Sequence, residues 1–140
     1  MSKDNQGWLQ GRCLCSSVVF YVKDAFLYAG YCHCSECRKF SGAACSPNAG
    51  IEAEFLRIEQ GEAFIKEYVK TPASTMCFCG NCGSSLFVKK PQWGRVHVRL
   101  GSLIDEPSMH PSSHYHVASK ATWEVINDEL PRYEAAPKRD

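Results

Sequence analysis

The sequence predicts a mainly β fold: a single small domain of antiparallel sheets with little helix. Three observations predict it. Runs rich in β-branched and aromatic residues recur along the chain, punctuated by Gly, Pro and polar turn residues. The length of 140 residues suits one domain with a core of its own. Seven of the nine cysteines fall into three tight groups: Cys13-Leu14-Cys15, Cys32-His33-Cys34-Ser35-Glu36-Cys37 and Cys79-Gly80-Asn81-Cys82. Such spacing staples small β domains through a metal.

In chain order, Cys13 to Val22 reads as a strand or hairpin. An ideal strand would hold Cys13 and Cys15 about 6–7 Å apart, so a bend is expected if both are to reach one ion. Lys23 to Phe26 is a turn, and Leu27 to Tyr31 a second strand. Parity puts Cys32 and Cys34 on one side and His33 on the other. A short helix is expected from Ser35 to about Phe40, with the Ser35 and Glu36 N–H groups near the sulfurs and Arg38 and Lys39 favouring thiolates. Ala43 to Gly50, small and Pro-containing, reads as irregular. Ile51 to Ile58 alternates in part, like a half-buried strand, and a turn follows at Gln60 to Glu62. Strands are then expected at Phe64 to Val69, Thr75 to Cys79 and Ser84 to Val88, with the knuckle glycines Gly80 and Gly83 allowing a tight turn. After a turn at Pro91 to Gly94, the next strand alternates. Val96, Val98 and Leu100 are expected in the core, with Arg95, His97 and Arg99 facing out. Ser102 to Ser113 is a surface loop, His114 to Val117 a last strand, and Ala121 to Trp123 packs on the core. The domain is expected over 7–133, with a disordered lead-in at 1–6 and a frayed end at 134–140.

Composition is that of an ordinary globular chain, 44% apolar and 22% charged. A formal charge of +1 gives no reason to expect nucleic acid or a membrane surface as partner. No apolar run reaches the roughly 18 residues of a membrane span. The polar N-terminus argues for the cytoplasm. In a reducing compartment nine cysteines point to metal or redox chemistry rather than disulfides. A thioredoxin-like use of Cys34-x-x-Cys37 or Cys79-x-x-Cys82 lacks the β-α-β context, and an iron–sulfur cluster is a weaker fit than zinc.

Zinc takes four thiolates in a closed structural site and three protein ligands in an open one. Cys13, Cys15, Cys79 and Cys82 pair as two bidentate arms from distant segments. Cys32, Cys34 and Cys37 remain as a local triplet. A fourth ligand from Cys45, Cys77, His33 or His116 would close it; parity argues against His33, while Cys77 faces the same side as Cys79. Otherwise Cys45 and Cys77 are small buried hydrophobes. Three thiolates on Zn²⁺ leave a formal charge of −1, a centre suited to holding an incoming thiol as thiolate.

Gly11-Arg12-Cys13-Leu14-Cys15, Tyr31 to Arg38, Ser41-Gly42, Phe78 to Ser84 and His116 to Trp123 together resemble the glutathione-dependent formaldehyde-activating enzyme family, which includes centromere protein V. The resemblance implies an Mss4-like (β-tent) fold with two zinc ions per chain. It implies structural zinc on Cys13, Cys15, Cys79 and Cys82, and catalytic zinc on Cys32, Cys34 and Cys37. The implied activity is that of a carbon–sulfur lyase joining glutathione and formaldehyde as S-hydroxymethylglutathione. Arg38 and Lys39 are then candidates for a glutathione carboxylate. The competing readings are a protein-interaction module in which both zinc sites are structural, and a redox or metal-sensing switch. Oligomeric state is not legible.

Overall fold

A computed structural model describes residues 7–136. The elements run β1 (Trp8–Arg12), β2 (Val19–Lys23), β3 (Tyr28–Cys32), α1 (Ser35–Ser41), β4 (Ser46–Glu52), β5 (Leu56–Gln60), β6 (Ile65–Thr71), β7 (Ser74–Cys79), β8 (Ser85–Lys90), β9 (Arg95–Arg99) and β10 (His114–Tyr115). They form a three-stranded sheet, β1-β2-β5, and a seven-stranded sheet, β10-β3-β4-β9-β8-β7-β6. Every pairing is antiparallel except β10 with β3, which run parallel.

The strands form where period-2 patterning gives one face to the core. Leu9, Phe20 and Val22 come from the small sheet, and Ala29, Ala49, Ile51, Phe87 and Val98 from the large one. Phe20 and Phe87 meet edge to face, with ring centroids 5.7 Å apart. Such a pair adds about 0.5–1.5 kcal/mol beyond its buried area.

Several expectations change. Ala43 to Gly50 is not irregular: Ser46 to Gly50 belongs to β4, an interior strand between β3 and β9. Pro47 is tolerated there because it faces Tyr31, whose N–H turns away to the Ser113 carbonyl. This pair therefore exchanges no hydrogen bonds, and Pro47 lies one residue beyond the last partner of β9, Asn48. Ile51 to Ile58 is not one strand; a single 3₁₀ turn at Ala53–Phe55 sends β5 into the other sheet.

Ala121 is buried as expected, but Trp123 is exposed. The lead-in at 1–6 lies outside the described residues. Near the chain end, Tyr133 donates to the His114 carbonyl and His116 to that of Ala135; of the end expected to fray, residues 137–140 lie outside the described residues.

The largest correction concerns β9. Val96 and Val98 face the core, but Arg99 is buried, only 5% exposed. Its side of the sheet, shared with His97, is not an open surface. It is the wall of a cavity roofed by α1 and the segment after β10.

Candidate metal centres and the adjoining cavity

The first group gathers Cys13, Cys15, Cys79 and Cys82, all four sulfurs within 4.8 Å of one another. Cys13 and Cys15 lie in the β1–β2 hairpin rather than in a strand. The bend expected there comes from Ser16, whose φ of 67° is left-handed and whose N–H donates to the Cys13 carbonyl. Cys79 ends β7, and the chain turns back through Gly83 (φ 81°) to bring Cys82 alongside. The Cys13–Cys15 and Cys15–Cys79 sulfur separations are 3.6 and 3.8 Å. A tetrahedron with about 2.3 Å metal–sulfur bonds has edges of about 3.8 Å, so this group fits zinc.

Donors surround these sulfurs. Val18 N–H reaches Cys13 Sγ at 3.2 Å and the Asn81 amide reaches Cys15 Sγ at 3.2 Å. Ser84 Oγ accepts from Leu14 N–H at 2.9 Å and hydrogen-bonds Cys82 Sγ at 3.1 Å, so one hydroxyl ties the two arms together. Hydrogen bonds with the Ser84 hydroxyl and then backbone groups pull the Cys82 thiol down to about 5. The Ser17 hydroxyl and then Asn81 pull Cys15 down to about 7.

The second group is Cys32, Cys34 and Cys37, again within 4.8 Å. Cys32 ends β3, and Cys34 is the N-cap of α1, its sulfur accepting the Cys37 N–H at 3.3 Å. The capping donor is thus Cys37 rather than Ser35 or Glu36. Gly42 in the left-handed conformation ends the helix after two turns. The Cys34 thiol is held far below its ordinary range, first by Cys32 and then by Cys37. Cys32 is pushed up by Cys34, Cys37 and burial. For Cys37, the downward pull of Cys32 is outweighed by Cys34 and burial, so it too is raised. Three thiolates this close repel one another; a divalent cation would let all three ionise.

Beside this triplet is a cavity of about 450 Å³. All three of its sulfur residues line it, and none of the other four does. The floor is the polar face of the large sheet, where Tyr28, Gly50 and His97 lie in register. A Cβ on Gly50 would come 2.3 Å from the Tyr28 ring, so glycine here lets Tyr28 lie across β4. Its hydroxyl then meets His97 Nε2 at 2.8 Å. Nearer the sulfurs, Asn48 Oδ1 accepts from Ser46 at 2.6 Å, which aims its amide at Cys37 Sγ, 4.0 Å away.

Arg99, Lys70 and Lys90 are the cavity's cations, and none was expected to act there. Arg38 instead donates to the carbonyls of His33 and Ser119, and Lys39 is exposed; neither lines the cavity. Arg99 was visible as a period-2 partner of His97; what covers that face was not.

Among the described residues, Cys45, Cys77, His33 and His116 join neither metal group. Cys77 is fully buried in the core, with its thiol pushed up to about 11 by burial. Cys45 is half-buried. His116 lines the cavity with a left-handed φ of 56°. His33 points away, as parity predicts, into a buried chain: His33 Nε2 lies 2.8 Å from His114 Nδ1, and His114 Nε2 lies 3.0 Å from the Asp128 carboxylate. The carboxylate accepts from Nε2–H of His114; in the neutral ring, His114 Nδ1 is then the acceptor toward His33 Nε2–H.

Residues 8–119 match the family described as glutathione-dependent formaldehyde-activating enzyme. The chain belongs to that family. A Halomonas elongata protein provisionally named a glutathione-dependent formaldehyde-activating enzyme is 29% identical over 126 residues, covering 84% of this chain and 80% of its own. The fold also matches a crystal structure of a Rhodobacter sphaeroides protein solved as a structural-genomics target. The TM-score is 0.60 at 22% identity, over 74% of this chain and 98% of that one. The matched span includes all seven cysteines of the two groups. No helix of the described residues is long and apolar enough to cross a membrane.

Proposed function

We propose that this protein is a zinc-dependent carbon–sulfur lyase-type enzyme that joins glutathione and formaldehyde as S-hydroxymethylglutathione, working in the cytoplasm with two zinc ions per chain. The observation that carries this reading is the asymmetry of the two sulfur groups: the triplet lines a 450 Å³ cavity and the quartet does not. Cys13, Cys15, Cys79 and Cys82 would hold a structural zinc joining the β1–β2 hairpin to the β7–β8 turn. Cys32, Cys34 and Cys37 would hold the second.

Bound there, zinc would keep an incoming thiol ionised and nucleophilic at neutral pH. The chain's own residues do the rest. The Cys37 N–H orients the Cys34 sulfur, and the Asn48 amide and the Arg99 guanidinium both reach the Cys37 sulfur. The Tyr28–His97 pair gives the cavity floor a group that can give and take a proton, which the oxygen of a thiol–aldehyde adduct needs.

The test compares the rate of S-hydroxymethylglutathione formation, followed by NMR exchange spectroscopy above the spontaneous rate, in wild type and Cys34→Ser. The variant is expected to stay folded and to fall to the spontaneous rate. Retained acceleration in the variant contradicts the reading.

A further inference from the structure

The cavity beside the triplet carries more positive charge than its own residues neutralise. Three cations line it, Lys70, Lys90 and Arg99, against a single carboxylate, Glu36. Glu36 is already engaged with Lys70 at 2.6 Å. Arg99 stands over the sulfurs, its Nη2 4.0 Å from Cys37 Sγ. Lys90 is left: among the described residues it makes no ion pair.

Its environment suits a ligand rather than solvent. Lys90 is half-buried at the end of β8, and Nζ donates to Ser74 Oγ at 3.2 Å, with the Trp93 ring centroid 5.9 Å away. Ser74 is itself buried, 5% exposed. Because that hydroxyl accepts from Lys90, its own proton is free to be donated to a third group. Burial, and then Lys70 and Arg99, lower the Lys90 pKa. The sulfurs of Cys37 and Cys32 also lie within its electrostatic reach. An ammonium held this way, beside two other cations, is a poor structural element and a good anion receptor.

We propose that Lys90 and the Ser74 hydroxyl form a carboxylate-binding subsite, and that these two residues select thiols carrying an acidic group for the neighbouring Cys32/Cys34/Cys37 centre. The subsite rests on the reading of that centre as the place where a thiol reacts, and it sets which thiols are accepted. Neutral thiols of similar size would reach the sulfurs without the anchor.

The test uses a ligand with no ionisable thiol, so that binding reports on the anchor alone. Binding of S-methylglutathione and of its diethyl ester to the zinc-loaded full chain is measured by calorimetry, for wild type, Lys90→Met and Ser74→Ala. A charge-assisted hydrogen bond to a buried group makes the acid bind wild type about ten- to hundred-fold more tightly than the ester. The ratio is expected to fall to near unity in Lys90→Met and to an intermediate value in Ser74→Ala.

Unchanged zinc content and thermal unfolding show that each variant is folded. Equal binding of acid and ester by wild type, no measurable binding of either, or an unchanged ratio in Lys90→Met overturns the proposal. If the ratio behaves as expected but glutathione and formaldehyde are not joined, the subsite stands and the reaction assigned above falls. If they are joined but the ratio is flat, the reverse holds.

Discussion

Arg99 Nη2 lies 4.0 Å from the Cys37 sulfur, joining positions 62 residues apart. The guanidinium is buried, stacked with its Cζ 5.1 Å from the Phe40 ring centroid, and its Nε has no hydrogen-bond partner. A cation held this way offsets the charge of thiolates crowded beside it. Arg99→Met is expected to weaken metal retention at the triplet about ten- to hundred-fold, the usual effect of losing an outer partner of a metal ligand. The quartet should be unaffected. Chelator competition followed by zinc counting checks this: the variant should give up one equivalent early and keep the other.

The two sulfur groups should differ sharply in what they do for the fold. Cys79 is fully buried and belongs to the group that ties the hairpin to β7. Cys79→Ser is expected to destabilise the protein by about 3 kcal/mol or more, lowering the melting temperature by roughly 10 °C. Cys34→Ser should lower it much less. Thermal unfolding of the zinc-loaded proteins decides it; equal losses would mean that both groups are structural.

Gly50→Ala tests the cavity floor. The added Cβ would lie 2.3 Å from the Tyr28 ring, so the ring must move and its bond to His97 must break. Overpacking of this kind costs about 1–3 kcal/mol. Denaturant unfolding should show that loss, while zinc content stays at two per chain because no sulfur is displaced.

Acid should expose the buried histidine chain. The hydrogen bond from His114 is the main cause holding the Asp128 carboxyl below the usual carboxylate range. A carboxyl depressed in the folded state contributes stability above its unfolded pKa of about 3.9, and that contribution disappears as pH falls through the folded value. Asp128→Asn should therefore be less stable than wild type at neutral pH, with the gap closing below about pH 4. Urea unfolding across pH measures it. The gap is expected to be small, since Asp128 is 45% exposed.

How much of this the sequence carried differs from residue to residue. Cysteine spacing alone sorted the seven ligand candidates into the groups that the fold assembles. Alternation located β9 and put Val96 and Val98 inside. It could not say that Arg99 would be buried, because parity fixes which side a residue takes but not what covers that side. The cover comes from α1 and from the chain after β10, which are distant in sequence. β4 was hidden because Pro47 and Gly50 look like breakers. Each is permitted by its place in the ladder: Pro47 where no donor is needed, Gly50 where an aromatic ring crosses. Lys90 and Lys70 gave no local signal, since each lies in an ordinary polar strand end.

X-ray absorption at the zinc edge reads the proposed difference between the two metal positions directly. Two zinc ions on the seven cysteine sulfurs would average about 3.5 sulfurs per zinc. Adding glutathione is expected to raise it to about 4, as a fourth sulfur joins the triplet alone. An average that starts at about 4, or that glutathione leaves unchanged, contradicts the account.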